Sequence, residues 1–128
     1  MTTAEVSKKY DITPDTLRYY ERVGMIPPVH RTPSGLRDYT EADCNWVELA
    51  KCMRSAGLPV EVMIDYVHLT LQGDGTFAGR LQLLSEQRER LLVQRRSIDA
   101  MLERLDYKIS RYESAVKTGV LSWETPEK

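Results

Sequence analysis

The chain has 128 residues and a formal net charge of −1, which allows one compact domain plus one long element but not two full domains. No apolar stretch reaches the roughly 18 residues that a transmembrane helix requires, and no charged-then-apolar leader opens the chain. We therefore expect neither membrane insertion nor export. Two cysteines, Cys44 and Cys52, are too few for a secreted disulfide scaffold, which favours a reduced, cytoplasmic protein.

The charge is unevenly distributed along the chain. Residues 8–37 contain six basic and three acidic side chains, so this segment is net positive while the remainder is net negative. Phosphate binding depends on local basic contacts rather than on the average charge of a protein. The overall charge therefore does not exclude a nucleic-acid partner.

The first predicted helix is short. An N-cap at Thr2 or Thr3 favours a helix that extends to about Tyr10. Three of its side chains are expected to face inward: Ala4, Val6 and Tyr10.

A second helix is predicted over about residues 14–23, after a tight turn. Thr13 is a favourable N-cap, Pro14 suits the first helical position, and Gly24 ends the helix. Two helices joined by a turn of this length favour a helix-turn-helix.

The exposed face of the second helix carries the candidate base contacts. Arg18 can bind guanine through two hydrogen bonds, and Tyr19 projects beside it. We expect one of Tyr19 and Tyr20 to pack beneath the helix together with Leu17. The candidate phosphate contacts are Thr13 and Thr16 near the start of the helix, and Tyr20 further along it.

A basic hairpin, the wing, is predicted after this helix. Its tip is Pro33-Ser34-Gly35, with Arg31 and Arg37 on the two arms. Arg31, Arg37 and Tyr39 are expected to hold the DNA backbone. A groove-sized helix followed by a basic hairpin is typical of a winged helix-turn-helix DNA-binding domain, and the fold class is expected to be mainly α.

Two further helices complete the predicted domain, which spans residues 1–71. The third runs from an N-cap at Thr40 to about Ala56, and the fourth from about Pro59 to Leu71. The third offers an apolar face made of Trp46, Val47, Leu49, Ala50 and Met53. The fourth contributes Val60, Met63, Ile64 and Val67. Residues 72–77 are expected to form a linker.

Residues 78–117 are predicted to form one long dimerisation helix, followed by a tail, 118–128. With Leu81 at heptad position a, nine of the eleven a and d sites are apolar. An apolar seam of this length, roughly 60 Å at 1.5 Å per residue, needs a partner, and an identical chain is the simplest one. The alternative is a helix that packs back on its own domain. Arg88 and Arg95 interrupt the seam, either where the coil splays or opposite acids of the other chain.

The motifs identified so far resemble those of the MerR family of transcriptional regulators. The matching segments are Thr16-Leu17-Arg18-Tyr19-Tyr20-Glu21, then Gly24, Ile26 and Pro27, then Gly35-Leu36-Arg37-Asp38-Tyr39. The long terminal helix extends the resemblance to roughly residues 1–116. Within the family, Trp46, Lys51-Cys52-Met53-Arg54 and Ala56-Gly57-Leu58 are similar to the aldehyde- and electrophile-responsive subgroup of AdhR- and NmlR-like proteins.

This resemblance implies a mechanism. Family members are homodimers joined by an antiparallel coiled coil, and they bind inverted repeats in double-stranded promoter DNA whose −35 to −10 spacing is unusually long. The induced form distorts the spacer so that RNA polymerase engages both elements, which is regulation through DNA deformation.

The thiols are the candidate sensors. Family members that sense metals resemble one another in having cysteines near and beyond the end of the dimer helix, whereas this chain has none after Cys52, so no metal site is expected. The chain ends twelve residues after Val116, so no large ligand domain is expected either. Cys44 and Cys52 lie about 12 Å apart along one helix, too far for a disulfide.

The family resemblance selects Cys52 as the sensor, reacting with a small electrophile such as an aldehyde. The helix dipole instead favours a thiolate at Cys44, and Lys51 and Arg54 are candidates to compensate at Cys52. We expect modification of Cys52 to force repacking of a tight interior, with Val120–Trp123 either folding back over the site or fraying. In the alternative interpretation Cys52 is a small buried hydrophobe.

Other functions remain open at this stage. An oxidative or nitrosative-stress regulator needs only the same accessible thiolate. A coiled-coil interaction module that does not bind DNA is a second alternative. No phosphate loop, triad or cofactor motif supports an enzyme, so neither catalysis nor a cofactor is expected.

Overall fold

The computed structural model describes residues 1–123 and is built from helices. In chain order these are α1 (Thr3–Tyr10), α2 (Pro14–Val23), α3 (Glu41–Ser55), α4 (Val60–Leu71) and α5 (Phe77–Thr118). A short 3₁₀ turn, Asp74–Thr76, lies between α4 and α5. All five predicted helices are confirmed, with boundaries within a residue or two of those expected.

Local capping explains why the boundaries follow the sequence so closely. The Thr2 and Thr40 side chains each accept a hydrogen bond from the backbone N–H three residues on, and the Glu5 and Asp43 carboxylates accept one from the backbone N–H of the cap residue. Thr13 caps α2 by accepting from the Thr16 N–H, at 3.2 Å. Each cap satisfies backbone donors that the first turn leaves free.

The helices of the N-terminal domain enclose one apolar core. Its least exposed side chains come from α1 to α4 and from the segment after α2: Val6, Leu17, Met25, Ile26, Tyr39, Val47 and Met63. α3 and α4 also meet through the half-buried Trp46 and Tyr66, whose ring centroids are 5.6 Å apart.

Two predicted core positions are wrong, for the same reason. Ala4 and Leu49 are exposed, whereas Val6 and Val47, each two residues away, are completely buried. Successive helical residues rotate by about 100°, so positions two apart point to opposite sides of a helix. Neither pair can face the core together.

Two basic side chains of α3 bind carbonyl groups at helix ends. The Lys51 ammonium donates to the carbonyl of Tyr10, the last residue of α1. Arg54 Nη1 donates to the Leu58 carbonyl at 2.6 Å, in the turn that leads to α4. Lys51 therefore ties α3 to the end of α1, immediately before the turn into α2.

The predicted linker is held by hydrogen bonds. Thr76 Oγ1 donates to the Leu69 carbonyl at 2.7 Å, and Arg80 Nη2 donates to the Gly73 carbonyl at 2.7 Å. These bonds join the end of α4 to the start of α5.

α5 contains 42 residues. The chain forms two compact units, Met1–Gln87 and a second that begins at Arg88. The apolar a and d side chains of α5 that are exposed in the single chain are Leu81, Leu84, Ile98, Leu102, Leu105, Ile109, Tyr112 and Val116. Within residues 1–123, no helix has the length and apolar character needed to cross a membrane.

The tail folds back against α5 as far as it is described. Arg111 Nε donates to the Ser122 carbonyl at 2.7 Å, and the Trp123 ring lies 5.5 Å from that of Tyr112. Lys108 also lies over the Trp123 ring, 4.7 Å from its centroid. The remainder of the predicted tail, 124–128, lies outside the described residues.

We predict that Thr40→Ala lowers the free energy of unfolding by about 1 kcal/mol, because it removes the N-cap of α3. Thr40→Ser keeps the hydroxyl acceptor and is the matched control. Urea unfolding of the two variants and the wild type checks this. Equal stability of the alanine and serine variants would contradict the capping role.

Candidate nucleic-acid interface

The outer face of α2 carries an exposed aromatic and basic surface. Tyr19 is 38% exposed, and the Arg22 guanidinium lies over its ring, 5.5 Å from the centroid. Arg18 is exposed and forms an ion pair with Asp15, one turn earlier on the same helix. An exposed ion pair of this kind is weak, so Arg18 can exchange Asp15 for a base edge or a phosphate at small cost.

The start of α2 provides a group of hydroxyls. Thr13 Oγ1 and Thr16 Oγ1 are 2.8 Å apart, beside the backbone N–H groups that open the helix. Both residues, together with Tyr20, line one surface depression. Hydroxyls next to the positive end of a helix dipole form a suitable binding site for a phosphate oxygen.

Leu17 and Tyr20 pack beneath α2, as expected. Leu17 is fully buried and Tyr20 is 7% exposed, and burial raises the pKa of the Tyr20 phenol above its ordinary value. The expectation that one of the two adjacent tyrosines faces inward is confirmed. A phosphate contact by Tyr20 stays a prediction.

The wing is a minimal hairpin. A single antiparallel bridge joins Arg31 to Arg37, and the Thr32 N–H donates to the Leu36 carbonyl at 2.8 Å. At the tip, the Gly35 N–H donates to the Thr32 carbonyl at 2.9 Å, and Gly35 adopts a φ of +89°. The left-handed conformation of Gly35 is one that a side chain would strain, which explains the glycine at the turn.

One carboxylate of α2 joins the helix to the wing. Glu21 Oε1 accepts from Arg37 Nε at 2.7 Å and lies 3.6 Å from Arg31 Nη2. Its other oxygen accepts from the Val29 N–H at 2.7 Å. Glu21 therefore binds both arms of the hairpin and the segment that leads into it.

The environment of Glu21 favours its charged form. Burial alone raises the pKa of its carboxyl, but the hydrogen bonds from Arg37 and Val29 and the positive charges of Arg37 and Arg31 outweigh it. The net effect is a pKa below the ordinary value of 4.5. The carboxylate is therefore ionised at neutral pH and holds the two arginines in place.

Sequence reasoning did not identify Glu21 as a site residue. The available signal was an acid late in α2, followed by a hairpin with an arginine on each arm. That pattern alone does not reveal the pairing, because Glu21 and Arg37 are 16 residues apart in the sequence.

The prediction that Tyr39 holds the DNA backbone is wrong. Tyr39 is 2% exposed and its hydroxyl is shielded from solvent, so it cannot reach a phosphate. Burial also raises the pKa of its phenol. Its backbone N–H donates to the Met1 carbonyl at 2.7 Å, which fixes the end of the wing to the start of the chain. Tyr39 is a packing residue.

The two thiols lie in different environments. Cys44 is 5% exposed in the first turn of α3, whereas Cys52 is exposed near the end of that helix. Cys52 lines a surface depression together with Lys9, Tyr10 and Lys51. The alternative of a buried, structural Cys52 is wrong, and so is the expectation that its modification would repack a tight interior.

Comparison with known proteins identifies the family. The description "MerR HTH family regulatory protein" matches residues 1–68, just over half of the chain. The transcriptional regulator AdhR of Bacillus subtilis (strain 168) is 51% identical over 92 residues, which are 72% of this chain and 66% of AdhR. The chain thus matches just under two thirds of the length of that relative.

Solved structures share the fold over almost the entire chain. A structure from Listeria monocytogenes assigned to the MerR family has a TM-score of 0.89 at 39% identity, covering 93% of this chain and 90% of that one. The structure of HiNmlR, a MerR family regulator lacking the sensor domain and bound to promoter DNA, has a TM-score of 0.83 at 31% identity. It covers 92% of this chain and 94% of that one.

We predict that Glu21→Gln lowers the free energy of unfolding at pH 7 by about 1–3 kcal/mol, because it removes the charge that binds both wing arginines. The pKa of Glu21 is lowered in the folded protein, so its contribution is complete above 4.5 and is lost as the pH falls through the lowered pKa. The difference between variant and wild type should therefore shrink in acid.

Urea unfolding between pH 7 and pH 3 measures this difference. Glu48→Gln, an exposed carboxylate on α3, is the control and should change little. If the free energy of unfolding of Glu21→Gln stays below that of the wild type by a constant amount down to pH 3, an ionised Glu21 is not the source of the difference.

Proposed function

This chain belongs to the MerR family of helix-turn-helix transcriptional regulators, and we propose that it binds an inverted-repeat promoter operator as a dimer. We further propose that it activates transcription by distorting the spacer DNA, in response to an aldehyde or related electrophile that modifies Cys52.

The observation that carries the DNA-binding proposal is the Glu21 connection between α2 and the wing. A helix presented to the major groove and a basic hairpin presented to the backbone need a fixed separation to contact one duplex together. Glu21 supplies it, with both wing arginines on one carboxylate. The HiNmlR structure, which is bound to promoter DNA, supports the same use of this fold.

The contacts follow from exposure and chemistry. Arg18 and Tyr19 are the groove contacts, with Arg18 suited to guanine. Arg31 and Arg37 keep 45% and 26% of their side chains exposed while bound to Glu21, which allows phosphate contacts beside it. The remaining phosphate contacts are Thr13 and Thr16 at the start of α2 and Tyr20 about two turns further along the helix.

Dimerisation is supported by the apolar seam of α5. Leu102 and Ile109 are 50% and 55% exposed in the single chain, and they belong to a row of exposed apolar a and d residues that runs from Ile98 to Val116. An exposed apolar row of this length is typical of a surface that a second helix covers. A dimer also supplies two copies of α2 for the two halves of an inverted repeat.

Cys52 is proposed to be the residue that reacts with the inducer. Its thiol adds to the carbonyl carbon of an aldehyde, forming an S–C bond while the thiol proton passes to the carbonyl oxygen. The adduct lies beside Lys51, whose ammonium binds the carbonyl of Tyr10 at the end of α1. Because the turn into α2 begins there, disturbing this bond changes how α2 is aimed at DNA. The re-aimed helices distort the spacer so that RNA polymerase engages the promoter.

The exposure of Cys52 also favours the second candidate, a regulator that responds to oxidants or nitrosating agents. Both chemistries need an accessible thiol, and Cys52 is accessible. A non-DNA interaction module is disfavoured, because the relatives are named as transcriptional regulators.

We predict that Arg18→Ala and Arg37→Ala each weaken binding to the promoter upstream of the gene. Arg37→Ala should also reduce the slope of log affinity against log salt concentration by about one, as expected for a lost phosphate contact, whereas Arg18→Ala should relax the sequence preference, as expected for a lost base contact. Fluorescence anisotropy at several salt concentrations measures both effects. Arg96→Ala, an exposed cation on α5, is the control.

Glu21→Gln separates the two possible roles of Arg37, because it breaks the same ion pair and keeps the cation. A direct contact by Arg37 requires that Arg37→Ala loses more affinity than Glu21→Gln. Unchanged affinity and slope in both arginine variants would refute the assigned interface.

We predict that formaldehyde or methylglyoxal modifies Cys52 and that Cys52→Ser abolishes aldehyde-dependent activation of the promoter. Intact-protein mass spectrometry and transcription in vitro measure these two effects. Cys44→Ser, which removes a buried thiol, is the matched control and should still respond. Normal activation of the Cys52→Ser protein would end the sensor proposal.

Parallel treatment with peroxide and a nitrosothiol distinguishes the second candidate. Activation by these reagents, with none by aldehydes, would assign the thiol to oxidant or nitrosative sensing.

A further inference from the structure

The seam of α5 contains two cations in positions that otherwise bury apolar groups. Arg88 and Arg95 occupy successive a positions, and a guanidinium enclosed without a partner is strongly destabilising. Both are exposed in the single chain. A dimer formed along this seam must therefore provide an acid for each of them.

We propose that the two α5 helices, antiparallel as the family resemblance implies, meet in a register that pairs Arg88 with Asp106 of the partner subunit and Arg95 with Asp99 of the partner subunit. This inference rests on the proposed dimer and specifies how it is assembled. The register sets Arg88 opposite the partner's Leu105 and Arg95 opposite the partner's Ile98.

The positions of the acids carry the proposal. Asp99 and Asp106 each follow a d residue, Ile98 and Leu105, so they occupy e positions at the border of the seam. In an antiparallel pair, an a residue lies on the same side of the interface as the e positions of the other helix. Each carboxylate is displaced along the axis by only about 1.5 Å from the level of its arginine.

The length of the arginine side chain suits this arrangement. Arg88 can lay its methylene groups over the partner's Leu105 and extend its guanidinium to the carboxylate beside it. Long basic side chains commonly cover apolar surface in this way while their charge stays at the border. The apolar seam is thereby closed without enclosing a bare charge.

A parallel dimer is disfavoured by the same residues. In a parallel coiled coil, equal positions face each other, so Arg88 would meet the partner's Arg88 and Arg95 the partner's Arg95. Like charges at two successive layers of the seam repel each other.

Sliding the antiparallel helices by one heptad is also disfavoured. Shifting Arg95 to the partner's Leu105 brings Asp99 next to the partner's Asp99 across the twofold axis. Shifting Arg95 to the partner's Leu91 leaves it beside the partner's Leu92, with no acid. The proposed register avoids both problems.

The groups involved are available in the single chain. Among the described residues, Arg95, Asp99 and Asp106 form no ion pair. Arg88 lies 3.8 Å from Glu89, and both side chains are largely exposed. Arg95 and Asp99 are also spaced for a pair within one helix, so the experiment must distinguish the two arrangements.

Mixing two charge-reversed variants makes this distinction. Arg95→Glu and Asp99→Arg chains, given tags of different mass, are mixed and allowed to exchange subunits, and native mass spectrometry counts the dimers. In the proposed register each homodimer contains two like-charge contacts, whereas the heterodimer contains only opposite-charge contacts. We expect heterodimers in roughly tenfold excess over random mixing.

Arg95→Glu mixed with Asp106→Arg is the control, because the two mixtures have equal net charges. In the proposed register this heterodimer contains one contact between two acids and one between two bases. Each homodimer also contains two like-charge contacts, so near-random mixing is expected. Preference for the control heterodimer would establish the shifted register, in which Arg95 meets Asp106. Random mixing in both experiments would support pairing within one helix and overturn the proposal.

The wild-type protein distinguishes failure of this register from failure of the proposed function. A wild-type monomer in native mass spectrometry would contradict dimerisation itself. A wild-type dimer whose charge variants mix randomly would contradict only the proposed pairing.

Discussion

The contact between Glu21 and the two wing arginines is the constraint on which the DNA-binding surface depends. Arg31 and Arg37 carry like charges on the two arms of the wing, so they repel each other unless an acid lies between them. Glu21 provides that acid and also binds the Val29 N–H, which satisfies both of its oxygens. The cost of burying the carboxylate is offset by three partners, and in return the helix and the hairpin are held at one separation.

In the proposed mechanism, a second connection links the Cys52 thiol, which lies outside the core, to this surface. Cys52 is exposed, so its modification does not need to open the apolar interior. Its neighbour Lys51 binds the last carbonyl of α1, and α2 begins four residues later. A chemical change at the surface of α3 thus has a short route, through one hydrogen bond, to the orientation of the groove helix.

The long helix α5 has an apolar row that must be covered even though two arginines lie within it. Its apolar row is too long to be left in water, yet Arg88 and Arg95 prevent it from being closed by apolar contact alone. In the proposed pairing of two chains, the acids next to Ile98 and Leu105 resolve this conflict. Orientation and register are therefore encoded by where the charges border the seam.

The sequence by itself determined the helices, the wing and the exposed face of α2, because capping threonines, glycine stops and helical periodicity act within about four residues. It also carried the motifs by which the family was identified. Only the tertiary structure decided that Glu21 binds Arg37, that Tyr39 is buried and that Cys52 is exposed. These features depend on contacts between residues far apart in the chain, and the same side chain is consistent with either environment until its neighbours are in place.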